Sequence, residues 1–400
     1  MNKKVCMITG SRAEWGILRP LYHELEHQGV RVKLVVTGSH LQSCSGFSVS
    51  EIEADIGTAF SKIDITHEAE SQPEKAQMFA SMAAAIERFA LFFDNEKPDL
   101  VLYYGDRYEI YAIATACRLS GIRSAHVSGG EVSLGAFDDI LRHCISKLSD
   151  LHFTATEEFR QRVIQLGEQP ERVYNTGELA LADLDKTAFM SRELLEKDLS
   201  CSLDNFFLIT LHPETCAPET VLKGLATLLP LLRELHPDTT LVFTGANADP
   251  EGRAINTAIA EEARRQPDVM VFHTHLGRLR YLSVARFARC VIGNSSSGII
   301  ELPSLGIPVL DLGNRQGGRP RSQAVMTADF SRSSIKKALK KLLAPDWREK
   351  CKLFPNPYEG FDSARKIAGI IAGYDISSIC SEKQFYDLPC IRRKRAVLRK

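Results

Sequence analysis

One stretch decides the fold of this chain: Arg289-Cys-Val-Ile-Gly-Asn-Ser-Ser-Ser-Gly-Ile-Ile-Glu-Leu-Pro-Ser-Leu-Gly-Ile-Pro-Val-Leu-Asp-Leu-Gly-Asn-Arg315. Its short apolar run at residues 290–292 predicts a buried parallel strand. A turn follows at residues 293–298, and the pattern predicts a helix that starts near Ile299. Such a turn directs several backbone N–H groups, three hydroxyls and the positive end of a helix dipole towards one point. We therefore predict an anion site, with a diphosphate as the favoured occupant.

The consecutive serines of this turn also have a simpler interpretation. Any one of Ser295, Ser296 and Ser297 could cap the following helix. One cap needs only one serine, so three serines between two glycines favour a ligand. Glu301, in the first turn of the predicted helix, suits the helix dipole and also stands where a ribose hydroxyl could be held.

Short apolar runs alternate with helical patterns along the rest of the chain, which predicts parallel sheets flanked by helices. The predicted strands are at residues 4–9, 30–37, 99–104, 123–127, 151–155, 172–175, 206–210, 239–243, 268–272, 290–292 and 308–312. The predicted helices are at residues 11–27, 81–93, 111–119, 138–148, 157–166, 219–235, 252–265, 279–287 and 333–342, with a last helix within 356–374. Residues 41–77 are less periodic and are predicted to hold an active-site loop, and residues 178–204 are predicted to be a connector.

The predicted fold class is therefore α/β, with two doubly wound, Rossmann-like halves. The predicted domains are an N-terminal one at residues 1–178, a C-terminal one at 179–375, and a final segment at 376–400 with a basic tail. For the tail at residues 391–400, a solvated terminus is favoured over a site for an anionic partner. In such sheets ligands bind outside the carboxyl ends of the strands.

The composition excludes several classes of partner. The 400 residues contain 50 Lys+Arg and 50 Asp+Glu, so no net field favours nucleic acid or an acidic membrane. The ten cysteines include no Cys-x-x-Cys pair, which argues against a zinc site or a disulfide framework and for reduced thiols in the cytoplasm. The N-terminus enters a strand at once and fits no signal peptide, and no apolar run approaches membrane-spanning length. We expect a cytoplasmic protein.

Basic side chains recur where predicted strands end. Arginine matches phosphate oxygens in a bidentate way that lysine does not. A single arginine at such a place is usually part of a surface ion pair, but four of them favour a phosphate ligand. These residues are Arg12, Arg107, Arg315 and Arg319, with His212 after the first strand of the second half. The loops contain neither a Walker A sequence nor a full Gly-x-Gly-x-x-Gly fingerprint, which removes the main support for an ATPase or a dehydrogenase.

An acidic set follows the strands of the first half. Asp106, Glu131 and Asp138 could each be a solvated cap, and for Asp138 a cap on the next helix is as well supported as a functional role. The functional interpretation needs carboxylates near a sugar ring, to move a proton and to stabilise oxocarbenium-like charge. His126 stands just before Glu131. A metal site from His126, His143 and His152 is poorly spaced, so core or capping histidines are favoured, and we expect neither a metal nor a cofactor.

Six blocks, in this order, together resemble the hydrolysing UDP-N-acetylglucosamine 2-epimerases, most of all the bacterial sialic-acid-pathway type. The resemblance covers residues 3–389. The blocks are Thr9-Gly-Ser-Arg-Ala-Glu-Trp-Gly16, Gly105-Asp-Arg-Tyr-Glu109, His126-Val-Ser-Gly-Gly-Glu131 with Asp138-Asp-Ile-Leu-Arg-His143, His212-Pro-Glu-Thr215, Gly293-Asn-Ser-Ser-Ser-Gly298 with Gly313-Asn-Arg-Gln316, and Gln384-Phe-Tyr-Asp-Leu-Pro389. The resemblance implies a GT-B fold: two Rossmann-like domains with a cleft between them, and a final helix that crosses back to the first.

The implied reaction converts UDP-N-acetylglucosamine and water into N-acetylmannosamine and UDP, through a 2-acetamidoglucal, for sialic acid biosynthesis. By the resemblance, Asp106, Glu131 and Asp138 serve the sugar, and His126 joins them as a candidate catalytic residue. The residues implied to hold the nucleotide are Arg12, Arg107, His212, Asn247, Ser295, Ser296, Ser297, Glu301 and Arg315. A homodimer or homotetramer, without nucleic-acid or membrane partners, is also expected.

Two departures from the family limit this transfer. Position 128, acidic in the bifunctional animal members, is Ser128, and the chain has no kinase domain. Relatives that act on a UDP- or GDP-linked N,N'-diacetylbacillosamine, for legionaminic acid, share the same blocks. Two alternatives from other classes stay open: a retaining GT-B glycosyltransferase, which would need an acceptor, and a nucleotide-sugar sensor without catalysis.

Overall fold

The computed structural model describes residues 3–42, 49–66, 74–134, 136–214, 217, 219–246, 252–358, 360–380 and 382–388. The chain forms two compact units. We call them the N-terminal unit (Met1–Glu131, Asp138–Leu184 and Glu359–Lys400) and the C-terminal unit (Val132–Phe137 and Asp185–Tyr358). The N-terminal unit thus runs past the predicted boundary at residue 178 and includes the chain from Glu359 onwards.

The N-terminal unit contains a sheet of seven parallel strands in the order β3-β2-β1-β4-β5-β6-β7. The strands are β1 (Lys4–Thr9), β2 (Arg31–Thr37), β3 (Ser61–Ile63), β4 (Leu100–Tyr104), β5 (Ser124–Val127), β6 (Leu151–Thr154) and β7 (Val173–Asn175). The helices are α1 (Arg12–His27), α2 (Val49–Ile56), α3 (Glu74–Glu96), α4 (Tyr108–Leu119), α5 (Asp138–Leu148) and α6 (Glu157–Gln165). The strand order reverses between β1 and β4, the place where ligands bind in such folds.

Helix α1 shows how the sequence sets the local structure. The Ser11 hydroxyl caps the helix by accepting from Glu14 N at 3.4 Å. Leu18, Leu21 and Leu25, spaced at three and four residues, are all buried against the sheet. Gly29, which follows the helix, has a φ of 76° and lets the chain turn into β2.

The C-terminal unit repeats this plan with six parallel strands in the order β10-β9-β8-β11-β12-β13. Its strands are β8 (Phe206–Thr210), β9 (Thr240–Thr244), β10 (Met270–His273), β11 (Cys290–Gly293), β12 (Val309–Leu312) and β13 (Val325–Ala328). Its helices are α7 (Arg192–Leu199), α8 (Glu219–Leu235), α9 (Gly252–Arg265), α10 (Gly277–Ala285), α11 (Ser296–Ile300), α12 (Arg332–Leu342) and α13 (Trp347–Cys351). Its order reverses between β8 and β11.

The last helix, α14 (Ser363–Gly373), belongs to the N-terminal unit and packs on α1. Its Ile367 and Ile371 are fully buried in the same core cluster as Leu18 and Leu21. Lys3 Nζ donates to the carbonyl of Ile371 at 3.0 Å. These contacts close the core on that face of the sheet.

The predicted fold class is confirmed, and the bounds of α5, β8, α8 and α9 are the predicted ones. Five elements were missed: α2 and β3 in the predicted loop, α7 in the predicted connector, the edge strand β13 and the short helix α13. The helix predicted to start near Ile299 was wrong, because α11 begins at Ser296 and ends at Ile300. Glu301 is therefore the residue after that helix and does not lie in its first turn.

Helix α3 corrects a second expectation. Over Lys75–Glu96 it is long and apolar enough to cross a membrane, judged by length and composition among the described residues. Its Ala85, Phe89 and Phe93 are nonetheless buried in a core cluster with residues of β1 and β4. This one-sided burial is what a helix packed on a sheet requires.

Candidate active site

Arg142 organises the predicted acids of the N-terminal unit. It lies in the middle of α5 and is 2% exposed. Its Nη2 donates to Asp106 Oδ2, and its Nη1 donates to the carbonyl of Glu131 at 3.0 Å and to Asp139 Oδ1 at 3.2 Å. One buried guanidinium therefore fixes the Asp106 carboxylate and the backbone of Glu131, and it stabilises negative charge on Asp106.

The turn that carries Asp106 is held from its other side by His126. Gly105, with a φ of 80°, ends β4, and His126 Nε2 lies 2.8 Å from its carbonyl. That carbonyl can only accept, so Nε2 carries the proton, and Nδ1 accepts from Ser146 Oγ at 3.0 Å. Burial lowers the pKa of His126 to about 3. We therefore expect the neutral ring of His126 to position the turn, although the sequence predicted a catalytic role.

The other two predicted acids, Glu131 and Asp138, lie seven residues apart in the chain. The side chain of Glu131 is buried, with 2% exposure, directly before the segment that leads into α5. Asp138 is half-buried and is the first residue of α5. A carboxylate there is favoured by the helix dipole, so its capping and functional roles are compatible.

Of the four arginines predicted near phosphate, the two in the N-terminal unit each have an acidic partner. Arg12 Nε donates to Glu51 Oε2 at 2.9 Å, and Arg107 Nη2 donates to Glu109 Oε1 at 3.1 Å. Both follow strands next to the reversal of strand order, β1 for Arg12 and β4 for Arg107. Buried Glu14 accepts from Gly10 N at 2.7 Å, and burial raises its pKa to about 7 although Arg107 opposes the shift.

In the C-terminal unit, Asn294 joins the ends of β8 and β11. Its Oδ1 accepts from His212 N at 2.7 Å, and its Nδ2 donates to His212 O at 2.8 Å. Its own carbonyl accepts from Arg315 Nη1 at 3.2 Å and from Gln316 Nε2 at 2.9 Å. Gly293 must be a glycine, because a Cβ there would lie 1.8 Å from the carbonyl oxygen of Thr210. His212 and Arg315 are thus brought together around one residue.

Ser297 of the serine turn and Tyr281 of α10 carry hydroxyls that lack a well-formed hydrogen bond among the described residues. Within the described part of the chain, neither buried Ser297 Oγ nor the Tyr281 hydroxyl makes a hydrogen bond of normal geometry. The Tyr281 hydroxyl faces Thr210 and Ser297, and burial raises its pKa to about 12. Ser295 precedes α11 without a side-chain cap bond. Because buried polar groups are nearly always paired, these two hydroxyls indicate a place for a polar ligand.

Three further contacts hold side chains and loops of the C-terminal unit near these groups. Glu301 Oε1 accepts from Arg278 Nε at 3.0 Å. Glu214 Oε1 accepts from Asn314 N at 2.7 Å, which fixes the loop after β12. Arg319, from the same loop, donates to Gln316 Oε1 at 2.7 Å.

The sequence missed several residues that hold these groups in place. Arg142 and Asn294 were inside quoted blocks, and the i, i+4 spacing of Arg142 from Asp138 on one helix was the available signal. Arg278 and Tyr281 lie on α10, outside every block, and nothing in the sequence pointed to them. The predicted ligand Asn247 lies outside the described residues.

The chain is similar to a described family and to several known proteins. Residues 23–372 match the model of a family described as UDP-N-acetylglucosamine 2-epimerase. The GDP/UDP-N,N'-diacetylbacillosamine 2-epimerase (hydrolyzing) of Campylobacter jejuni is 36% identical over 350 residues, 87% of this chain and 89% of that protein. The polysialic acid biosynthesis protein P7 of Escherichia coli is 32% identical over 97% of this chain and 98% of its own.

A solved structure shows the same fold. The UDP-GlcNAc 2-epimerase of Neisseria meningitidis, bound to UDP-GlcNAc, has a TM-score of 0.77 at 19% identity and covers 93% of this chain and 100% of its own. The predicted GT-B architecture, with two parallel-sheet α/β domains, is confirmed by this likeness and by the two sheets above.

Proposed function

We propose, since the chain belongs to the UDP-N-acetylglucosamine 2-epimerase family, that it is a hydrolysing nucleotide-sugar 2-epimerase. It would take a UDP-linked 2-acetamido sugar and water, and release UDP and the free sugar inverted at C2. The observation that carries the proposal is the Asp106 carboxylate held by buried Arg142, in one network with the backbone of Glu131.

The chemistry explains why such carboxylates are needed. The C2–H bond of the sugar is barely acidic, so the C1–O bond to UDP must break ahead of proton loss, and positive charge builds up on the ring. A fixed carboxylate such as Asp106 stabilises that charge without reorganising during the reaction. A second acid, Glu131 or Asp138, then removes the C2 proton to give the 2-acetamidoglucal. Water adds to this intermediate and leaves C2 inverted.

The C-terminal unit supplies groups suited to the nucleotide. In this proposal the Ser297 hydroxyl, together with Ser295 and Ser296, receives the diphosphate, and Arg315 offsets its charge. Glu301, oriented by Arg278, accepts hydrogen bonds from the ribose. Arg12 and Arg107, each paired with a carboxylate in this structure, stay predicted nucleotide ligands.

The test is a product analysis without any acceptor. The protein is incubated with UDP-N-acetylglucosamine alone, and UDP and sugars are separated by chromatography. We expect UDP and free N-acetylmannosamine in equal amounts. UDP-N-acetylmannosamine as the sole product would place the chain among the non-hydrolysing epimerases, and the absence of turnover on this and the sugar below would overturn the proposal.

A second sugar is favoured by a specific comparison. The relative that is 36% identical is named for GDP- or UDP-linked N,N'-diacetylbacillosamine, whereas the relative that is 32% identical is named for polysialic acid biosynthesis. The same assay with UDP- and GDP-linked diacetylbacillosamine gives kcat/KM for each substrate. The larger value identifies the sugar and the nucleotide, and with them a legionaminic or sialic acid pathway.

We also propose a homodimer or homotetramer. Helix α3 leaves three large apolar side chains exposed, Phe79, Ile86 and Leu91. Phe79 and Ile86, seven residues apart, share one face of the helix, and exposed apolar side chains of this size support association of like chains. Light scattering at several concentrations would show the assembly. The cytoplasmic location stays a prediction from the cysteine pattern.

A further inference from the structure

Lys383 forms a buried cluster at the C-terminal end of α5, far along the helix from the acids. Its Nζ lies 2.7 Å from Glu168 Oε2, donates to the carbonyl of Lys147 at 2.7 Å and also donates to the carbonyl of Ser149. An ammonium has three N–H donors, so these three oxygens match its full capacity. Its side chain is only 11% exposed. The contact is therefore specific and not a chance surface pair.

The position of Lys383 suits the end of a helix. The last carbonyls of an α-helix lack partners within the helix, and the dipole places partial negative charge there. Lys147 is next to last in α5, and Ser149 directly follows it. Lys383 thus caps α5 with a cation from the chain's C-terminal region.

Glu168 extends the cluster into the sheet. It is buried, and it contacts His152 Nε2 at 3.0 Å and Lys147 Nζ at 2.8 Å in addition to Lys383. His152 lies on β6 and is the register partner of His126 on β5. The cluster therefore fixes the end of α5 relative to the strand beside the one that carries His126.

Residues 382–388, which we call the strap, have their own anchors. Tyr386 N donates to Gly167 O at 2.8 Å, and Lys147 Nζ lies 4.6 Å from the centre of the Phe385 ring. Gly167 has a φ of 90°, and a Cβ on it would come within 2.3 Å of that ring. Tyr386 and Leu388 pack against apolar residues of α6 and β7. Side-chain packing as well as charge thus holds the strap against the rest of the N-terminal unit.

Other residues of α5 hold the predicted acids and His126 in place. Arg142 reaches Asp106 and Glu131, and Ser146 reaches His126. A helix of this size is about 16 Å long and moves nearly as a rigid body. A shift at its capped end is therefore passed to Arg142 and to the carboxylate it holds.

We propose that Lys383 is a positioning residue for the carboxylates of this active site: it fixes α5, and α5 fixes Asp106 and Glu131. The inference rests on the proposed function. Lys383 itself touches no predicted substrate group. Its effect should fall on the rate of the chemical step and leave nucleotide affinity unchanged.

The test compares three variants by steady-state kinetics below their melting temperatures. Lys383→Met should lower kcat about tenfold with KM within about twofold, since small misplacements of catalytic groups are costly. Lys383→Arg keeps the charge and donors and should recover most of kcat. Lys366→Met is the matched control, because Lys366 of α14 makes an exposed ion pair with Asp362 at 3.0 Å; it should behave as wild type.

Hydrogen exchange gives a readout that does not depend on turnover. Lys383→Met should speed amide exchange at residues 138–148 and 105–107, and should leave α14 unchanged. A kcat within twofold of wild type, unchanged exchange in α5, or equal loss of protection in all helices would overturn the inference. If the wild-type protein lacks epimerase activity, the proposed function fails, while exchange still tests the link from Lys383 to α5.

Discussion

The acids of the N-terminal unit and the serine turn of the C-terminal unit stand at equivalent places, next to the reversal of strand order in their sheets, yet they are built in opposite ways. Asp106 is bound by a buried arginine, and His126 has both ring nitrogens engaged. The Ser297 and Tyr281 hydroxyls face each other, and within the described part of the chain neither makes a hydrogen bond of normal geometry. The comparison teaches that the first site is organised before substrate arrives, whereas the second is completed by its ligand.

The largest expected effect is on Asp106. Asp106→Asn removes the charge but keeps an acceptor for Arg142, so the fold should persist. Turnover should fall a hundredfold or more, roughly 3 kcal/mol of transition-state stabilisation, while UDP binding by calorimetry stays within twofold. Asp139→Asn is the matched control, since Asp139 contacts the same guanidinium at 3.2 Å, and it should cost far less. Normal turnover by the Asp106 variant would refute the acid assignment.

The second-largest effect is expected for Arg142, which holds the acids in place. Arg142→Met leaves Asp106 without its buried partner, and breaking such a pair typically costs about 3 kcal/mol of unfolding free energy. Turnover per folded molecule should also fall. Denaturant unfolding and kcat measure the two effects. The exposed pair between Arg332 and Glu234 provides a control, and Arg332→Met should change unfolding by less than about 1 kcal/mol.

A substitution in the serine turn should affect UDP binding more than stability, the reverse of what we expect for Arg142. Ser297→Ala removes a hydroxyl that makes no hydrogen bond of normal geometry with the described residues, so stability should change little, but UDP affinity should fall by about 1–2 kcal/mol. Ser331, which caps α12 by accepting from Ser334 N at 3.3 Å, is the crossed control. Ser331→Ala should lose about 1 kcal/mol of stability and no UDP affinity. Equal UDP binding by wild type and Ser297→Ala would remove the contrast between the two sites.

The smallest effect concerns Glu14 and pH. Burial raises its pKa from 4.5 to about 7, so the folded protein holds this proton more tightly and stability falls as pH rises through that window. Glu14→Gln cannot ionise and keeps an acceptor for Gly10 N. The variant should match wild type at pH 4, below the ordinary pKa of a glutamate, and its stability advantage should grow as the pH rises to 8. A pH-independent difference between the two proteins would show that Glu14 does not titrate in this way.

Secondary-structure elements with a clear local pattern of apolar residues were predictable from the sequence. Alternating apolar runs predicted both sheets, and the turn at residues 293–298 was recognisable because glycines and serines interrupt an apolar run there. Strand β3 was missed because only one of its three residues is apolar, and β13 because Thr327 interrupts its short apolar run. Glu301 was misplaced because α11 is only five residues long and its bounds follow from tertiary packing.

The site was predictable only as a set of residue types. Arg142 could not be paired with Asp106 from sequence, because that contact joins residues 36 apart through the packing of α5 on the sheet. The contacts of Lys383 were even less predictable, since its carbonyl partners lie more than 230 positions earlier in the chain. Long-range contacts of this kind decide which of several similar acids or cations is held in place.

We propose that the Asp106 carboxylate, held by Arg142, and the nearby acids let UDP leave and let the C2 proton exchange with solvent. It is tested most directly by running the reaction in D2O with the UDP-linked 2-acetamido sugar that turns over, and following it by NMR. The account predicts UDP and a free sugar that is inverted at C2 and carries one deuterium there. A product that retains the original hydrogen at C2, or an uncleaved nucleotide sugar, would contradict it.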